Sequence, residues 1–592
     1  MKQNKVTVHI FYKSLSIVIF LVLIFRFVQL QLYNWDKYFH ESEKNRIREV
    51  VIEAARGIIY DRHGEILVDN RPAYTLSVVP YEFLKTDSTI SLLSEILEQP
   101  HEALKARTIK EKIGNFTPVK IKRQISFKVL SDIEEHRLDL PGVFYSLETK
   151  RFYPAGVRAP HIFGYLGEVT SEELTRLKEH DYRLGDLIGK SGIELQYENY
   201  LRGEYGLKYV EVDVLGREVR DLPELSGGRP RQPGKNLYLT FDAEIQRYLE
   251  NALADKKGAA AVLDARNGEI LALVSKPDYD PELFSNPLTT KIWDELINNE
   301  GNPLYNRSCQ SLYPPGSTYK LVLVAAGLES GLMNLQQKIF CTGTYRLGRR
   351  NFDCWKKGGH GWVGLIEAIE QSCNVYFYTK GLEVGLDKWS EFSRRFHFGK
   401  KTEIDLPNES AGLVPDRRYF DTKYGEKGWT RGLLLNLSVG QGDLLTTPLQ
   451  MAYFAMTLGN EGVAYQPHLL KKVVDPISND AIIPEFGSTR IEQISPATFK
   501  VIKEGMYRVV NGIKGTAKSA RRTDVKVCGK TGTAQNPHGE SHAWFIGFAP
   551  MEKPEIAFCV LVENGGSGGA VAAPIARGFL SLYFDNKHVA SN

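Results

Sequence analysis

YPPGSTYK (313–320), QSCN (371–374) and GKTGTAQ (529–535) decide the reading of this chain. They place S-x-x-K, S-x-N and K-T-G in that order, and each alone is a weak signal. Together they describe one chemistry. A serine hydroxyl is a poor nucleophile until an adjacent base takes its proton. Pro314-Pro315-Gly316 breaks the chain, and the spacing predicts a helix from Ser317 through Lys320, Leu321, Val324 and Leu328. Positions i and i+3 share a helical face, so the Lys320 amine can reach the Ser317 oxygen. Lysine serves as a base only when burial or a neighbouring cation lowers its pKa. Lys530 is the second cation, and it suits the carboxylate of a peptide with a free C-terminus. Ser372 is placed to relay a proton and Asn374 to hydrogen-bond a substrate amide. Thr531, Gly532 and Thr533 read as an edge strand on which Gly532 permits close backbone approach. The N–H groups of Ser317 and Thr533 would then form an oxyanion hole.

Around this set, GAAAVLDARNGEILALVS (258–275) reads as a hairpin, and HAWFIGFAP and EIAFCVLVENGG near the end read as two more strands before a helix at 571–584. Strands at both ends with helical sequence between imply an α+β fold whose termini share one antiparallel sheet, with a helical subdomain. SGGRPRQPG (226–234) is the best linker. The expected organisation is a tail at 1–12, an anchor at 13–33, a pedestal at 34–230 with a head subdomain at about 76–147, and a catalytic domain at 235–592. Residues 36–53 read as a charged helix or stalk, and RGIIYDRHGEILVDNRPAY (56–74) as a hairpin. GKSG (189–192) is no phosphate loop, because the upstream glycine is one position off. Ile193, Tyr197, Tyr200 and Leu201 follow it at helical spacing.

At 592 residues the chain exceeds one hydrophobic core, and 75 basic against 71 acidic residues give no nucleic-acid footprint. SLSIVIFLVLIF (14–25) is uncharged, and apolar residues continue to Tyr33. This reads as one uncleaved membrane span, with Lys13 and Arg26 snorkelling or meeting a protein partner. Lys2, Lys5 and Lys13 place the N-terminus in the cytoplasm and the rest outside the cytoplasmic membrane.

YPPGSTYK, QSCNVYFY, GQGDLLTTPLQMA (440–452), GKTGTAQ, RGIIYDRHG and the 189–206 segment together resemble a class B, monofunctional penicillin-binding protein, nearly end to end. The resemblance implies a penicillin-binding transpeptidase fold on an extended pedestal. It implies a D,D-transpeptidase in which Ser317 attacks the D-Ala-D-Ala bond of a stem peptide on lipid-linked nascent glycan and an acceptor amine resolves the acyl-enzyme. A carboxypeptidase side reaction and acylation by β-lactams also follow, as does a partner SEDS-type (RodA-like) glycosyltransferase among elongation-complex proteins. No organic cofactor is implied.

Six cysteines in an exported chain first suggest disulfides. Cys341, Cys354, His360 and Cys373 match a Cys3His zinc set in ligand type and number, and spacing leaves zinc and disulfide both open. FDCWKKGGHG (352–361) is similar to the metal-binding loop of elongation-type penicillin-binding protein 2, which implies structural zinc. Cys309, Cys528 and Cys559 read as small apolar residues. Rival readings are a septal class B transpeptidase, opposed by that same loop, and a β-lactam sensor or non-catalytic scaffold, opposed by the short cytoplasmic tail and the intact Ser317, Lys320 and Lys530. A β-lactamase is opposed by Glu403 and Asn408, which are off the required spacing.

Overall fold

The computed structural model describes residues 2–38, 47–112, 114–177, 182–183, 185–212, 218–222, 228–286, 288–426, 428–536 and 539–590. The chain forms two compact units. One comprises Met1–Ala55, Ala73–Glu148 and Gly203–Pro233, the other Arg56–Pro72, Thr149–Arg202 and Gly234–Asn592. Part of the expected linker, 226–227, lies outside the described residues.

The first unit begins with the helix Lys2–Val28, continued by a π-helical turn over Gln29–Tyr33. Residues Ile10–Tyr33 are long and apolar enough to cross a membrane, with a mean hydropathy of 2.3 over the best window. These 24 residues exceed the about 20 helical residues that cross the hydrocarbon. Arg26 donates to Gln29 one turn on, which satisfies part of its charge along the helix. The stalk expectation fails at its end: Ile47–Ile52 is a strand pairing antiparallel with Gly206–Val212, and IREVVI, with four β-branched residues in six, suits it. Residues 39–46 lie outside the described set. The head has its own core, in which Leu76, Phe83, Ile90, Leu93, Ile121 and Ile133 are buried together.

The second unit holds a five-stranded antiparallel sheet. Its strands are β1 (Gly258–Asp264), β2 (Ile270–Lys276), β3 (Cys528–Ala534), β4 (His542–Ala549) and β5 (Ile556–Val562), in the order β2-β1-β5-β4-β3. The two ends of the catalytic region do share one sheet, as the strand pattern implies. Every residue of β1, β2 and β5 is buried, so both faces are covered and the strands read as unbroken apolar runs. Between β2 and β3 the chain builds the helices α1 (Lys320–Glu329), α2 (Leu365–Glu370), α3 (Asn374–Arg395, broken at Gly385), α4 (Pro448–Gly459) and α5 (Pro496–Asn511); α6 (Ala572–Ala590) follows β5. All of α4 is buried, and a capping box between Thr447 and Gln450 starts it. β3 is the edge strand, paired only with β4, at Lys530–Ile546 and Gly532–Trp544.

The expected hairpin forms from Ile59–Tyr60 and the start of Ile66–Val78, around a turn where Asp61 Oδ1 accepts from the N–H groups of His63 and Glu65. Its first residue enters a buried ion network. Arg56 Nε donates to Glu194 Oε2 at 2.6 Å, Arg151 Nε to Glu194 Oε1 at 2.7 Å, and Arg56 Nη1 to Glu198 Oε1 at 3.1 Å. The two cations hold the Glu194 carboxylate below its usual range against the opposing effect of burial. Removing one partner from such a network strands a buried charge. Glu194→Gln should therefore lower stability by ~3–5 kcal/mol, read by denaturant unfolding of the purified chain; a change below ~1 kcal/mol would show that water or a rearranged partner compensates.

Candidate active site

Ser317 does not open an α-helix. Gly316–Tyr319 is a 3-10 turn that feeds α1 at Lys320. The tighter turn still keeps i and i+3 on one side. Backbone contacts fix it. Gly316 has φ +58° and its N–H donates to Gly440 O at 2.8 Å. A Cβ on Gly440 would lie 2.0 Å from Gly316 O, and one on Gly532 would lie 2.8 Å from Pro315 O. The serine turn is thus pressed between the Gly440 loop and the edge strand β3, where only glycines permit the approach. Ser317 is half-buried, and among the described residues its hydroxyl has no hydrogen-bond partner.

Lys320 is fully buried, and the hydrogen bonds of its amine go to the second motif. Nζ donates to Ser372 O at 2.9 Å, Ser372 Oγ at 3.2 Å and Asn374 Oδ1 at 2.7 Å. Lys530, also fully buried, donates to Ser372 Oγ at 2.9 Å and Thr531 O at 3.0 Å. One hydroxyl therefore sits between two amines. Burial pushes Lys320 down to about 8. Burial and the nearby Lys320 drive Lys530 well below the usual lysine range. Two ammonium groups cannot share this site cheaply, so without an anion beside it Lys530 is disposed toward the neutral form.

Ser372 occupies an unusual backbone position. α2 ends with Ser372 N–H donating to Ile369 O and Cys373 N–H to Ala368 O, while Ser372 has φ +53°. This is a Schellman motif with serine where glycine is usual. The next residue, Cys373, is the N-cap of α3, so the motif lies in a hinge between two helices. Such strain persists only when surroundings over-determine it. Here Trp355 Nε1 donates to Gln371 O at 2.9 Å and Asn374 Nδ2 to Asp353 O at 3.2 Å. Sequence reasoning missed the bracing roles of Trp355, of the Asp353 carbonyl, and of Thr516, whose hydroxyl meets that of Thr531 at 2.7 Å. Gly440, quoted only within a longer motif, carried a readable signal as a glycine in a G-x-G turn.

Cys341, Cys354, His360 and Cys373 converge, with one donor atom from each lying within 4.8 Å of the others. His360 Nδ1 is 3.6 Å from Cys341 Sγ and 3.5 Å from Cys354 Sγ. All six cysteines are free thiols. Cys309, Cys528 and Cys559 are fully buried, and burial raises each thiol's pKa, as small apolar residues require. Thr533 is the exposed residue of the K-T-G strand, and its carbonyl lies 3.1 Å from where a Gly316 Cβ would be.

This geometry has close counterparts. The penicillin binding protein transpeptidase domain matches residues 258–581, and the penicillin-binding protein dimerisation domain matches residues 51–239. The peptidoglycan D,D-transpeptidase MrdA of Haemophilus influenzae is 32% identical over 96% of this chain and 90% of its own. MrdA of Acinetobacter baumannii is 34% identical over 94% of this chain and 85% of its own. Among solved structures, the complex of penicillin-binding protein PBP2 with MreC from Helicobacter pylori superposes with a TM-score of 0.79 at 30% identity, covering 91% of this chain and all of that one. Pseudomonas aeruginosa PBP2 in complex with WCK 5153 gives 0.66 at 31% identity, covering 90% and 96%.

The left-handed backbone at Ser372 yields a test that separates strain from chemistry. Ser372→Gly and Ser372→Ala both delete the bridging hydroxyl, so the lost hydrogen bonds cancel between them. Glycine relieves the strain that alanine keeps, and the glycine variant should be the more stable by ~1 kcal/mol, the reverse of the usual helix ranking. Denaturant midpoints of the two variants measure it; an alanine variant at least as stable would mean the backbone relaxes once the hydroxyl is gone.

Proposed function

The chain belongs to the class B penicillin-binding proteins, and from its site we propose that Ser317 is the acyl-accepting nucleophile of its D,D-transpeptidase reaction. The enzyme cross-links peptidoglycan stem peptides during cell elongation and is a target of β-lactams. The observation that carries the assignment is the pair of buried lysines bridged by Ser372 Oγ directly behind the Ser317 turn. In this reading neutral Lys320 takes the Ser317 proton as the oxygen attacks the penultimate D-Ala carbonyl. Ser372 passes a proton toward the leaving D-Ala amine. The substrate's C-terminal carboxylate, arriving beside Lys530, restores that lysine's charge, so the site gains a cation only when an anion needs one. Asn374 and the β3 edge align the peptide, and the N–H groups of Ser317 and Thr533 receive the oxyanion.

Cys341, Cys354, His360 and Cys373 suit a structural zinc ion. Tetrahedral bonds of about 2.3 Å to sulfur and 2.0 Å to nitrogen place the donors roughly 3.5 Å apart, and the His360–cysteine separations are 3.5 and 3.6 Å. The ion would cross-link the Phe352–Gly361 loop to the hinge that carries Ser372 and takes no part in the reaction. A cytoplasmic N-terminus, a polymerising SEDS-type partner and an MreC-like scaffold complete the proposal; the last follows the Helicobacter pylori neighbour's complex.

Fluorescent penicillin should label the chain and fail to label Ser317→Ala. The acylation rate should climb with pH through about 8, because Lys320 acts only after losing its proton and is protonated below that value. Lys320→Met should slow acylation by about 10²–10⁴. A flat profile between pH 6 and 9 would remove Lys320 as the base. For the metal, Cys373→Ser should lose bound zinc and acylate more slowly, although Cys373 touches no reacting atom. Equal rates with zinc demonstrably lost, or no zinc in the untreated protein, would overturn this role.

A further inference from the structure

The segment from Phe340 to Gly364 carries five basic residues and one acidic one, Asp353, an excess equal to the net +4 of the entire chain. Arg346, Arg349, Arg350, Lys356 and Lys357 are all exposed, and among the described residues none forms an ion pair. Some exposed arginines of this unit are paired, as Arg394 is with Asp416 and Arg417 with Asp387, and others such as Arg418 and Arg431 stand singly; what marks 340–364 is five unpaired cations within twelve residues. An unneutralised cluster beside a reaction site favours an anionic partner.

Two short ribbons and their connections carry these charges and rings: Arg346 and Arg350 lie on the first ribbon, Arg349 in its turn, and Lys356 and Lys357 in the loop that leads to the second. Thr344–Leu347 pairs with Arg350–Asp353, and Ile339–Cys341 with Gly361–Val363. In the first, Tyr345 and Phe352 turn inward onto Tyr378 of α3, leaving Arg346 outward. In the second, Phe340 stands directly opposite Trp362, their ring centroids 5.3 Å apart, and they are 52% and 68% exposed. Trp355 is a further 58% exposed while its indole N–H holds Gln371 O, next to Ser372. Burying such rings would be favourable, and their exposure together marks a contact surface. The surface begins at the wall of the active site and leads away from it.

We propose that the exposed surface of these two ribbons and their connecting loops docks the glycan strand, the rings meeting sugar faces and the five cations meeting carboxylates of the stem peptides. The inference rests on the transpeptidase reading and extends it to the polymer. Its occupant is fixed by chemistry: an amino-sugar chain presents flat apolar ring faces and bears, at intervals, peptides that end in free carboxylates. A penicillin presents a single carboxylate to the buried site and reaches none of this surface. The platform would thus act on polymer affinity and leave acylation by small molecules alone.

The test uses the full chain in detergent, sedimented with uncross-linked peptidoglycan strands, with the same strands stripped of peptides by an amidase, and with phosphatidylglycerol vesicles. The variant is R346Q/R349Q/R350Q/K356Q/K357Q, and Trp362→Ala probes the rings separately. Fluorescent penicillin labelling reports an intact, folded site in each. If five exposed pairs each contribute a factor of roughly 1.5 to 2, the charge variant should bind intact strands about tenfold more weakly and keep its labelling rate. Wild-type binding should fall likewise on stripped strands and at raised salt. Trp362→Ala should weaken binding to both kinds of strand. Equal strand affinity of wild type and charge variant, or a charge-dependent affinity confined to the lipid vesicles, would overturn the inference while the labelled serine stands. A wild-type chain that takes no penicillin would overturn the transpeptidase reading, and this inference with it.

Discussion

Everything in the catalytic unit is arranged around one hydroxyl that accepts from two buried lysines. Placing Lys320 and Lys530 within hydrogen-bond reach of Ser372 Oγ removes two amines from water and sets them against each other. For Lys320 the burial itself lowers the proton affinity, and on the proposed reading that makes a base of a residue that is ordinarily an acid. Such burial can be sustained only by a scaffold that leaves neither amine room to escape. Lys320 is held by three acceptors from the second motif, and Lys530 by the strand on which it stands.

The sheet and the helical lobe meet that demand from opposite sides. β3 must lie against the serine turn closely enough for backbone to touch backbone, and the glycines at 316, 440 and 532 remove the side chains that would prevent it. On the lobe side, Ser372 has to leave α2 in a left-handed conformation so that its side chain projects between the amines. Glycine would adopt that backbone more easily but has no hydroxyl to offer. Strain at this residue is therefore tied to function, and the bonds from Trp355 and Asn374 to neighbouring carbonyls hold it in place.

Much of this was legible in the sequence because its logic is local. Three motifs carried the proposed nucleophile, both amines and the proposed relay, and unbroken apolar runs located the strands. The Cys3His set was legible as residue types, and the structure added that its donors converge on the hinge. What the sequence did not carry was direction. A spacing of three put Lys320 within reach of Ser317 and could not show that its amine also bonds Ser372 and Asn374, acceptors more than fifty residues away. Residues 47–52 follow a charged run that suggested a stalk, but their strand exists only through a partner at 206–212, which no local pattern could announce. The lowered proton affinity of Lys530 has the same origin, since it depends on burial in the finished fold.

The same separation between near and far governs how the enzyme can treat its ligands. A reaction that needs two uncharged or singly charged amines requires a dry, rigid pocket, and a rigid pocket can grip only the few atoms around the scissile bond. A polymer substrate brings repeated anions and sugar rings that cannot enter such a pocket without undoing its burial. Recognition of the strand must then be carried outside, on a wet surface where cations stay charged and rings stay accessible. The exposed ribbons of residues 339–363 satisfy that requirement while remaining mechanically joined to the site through Trp355 and Asp353. A small β-lactam exploits the first part of this division and has no use for the second, which is why the chemistry of inhibition and the affinity for substrate can reside in different residues of one lobe.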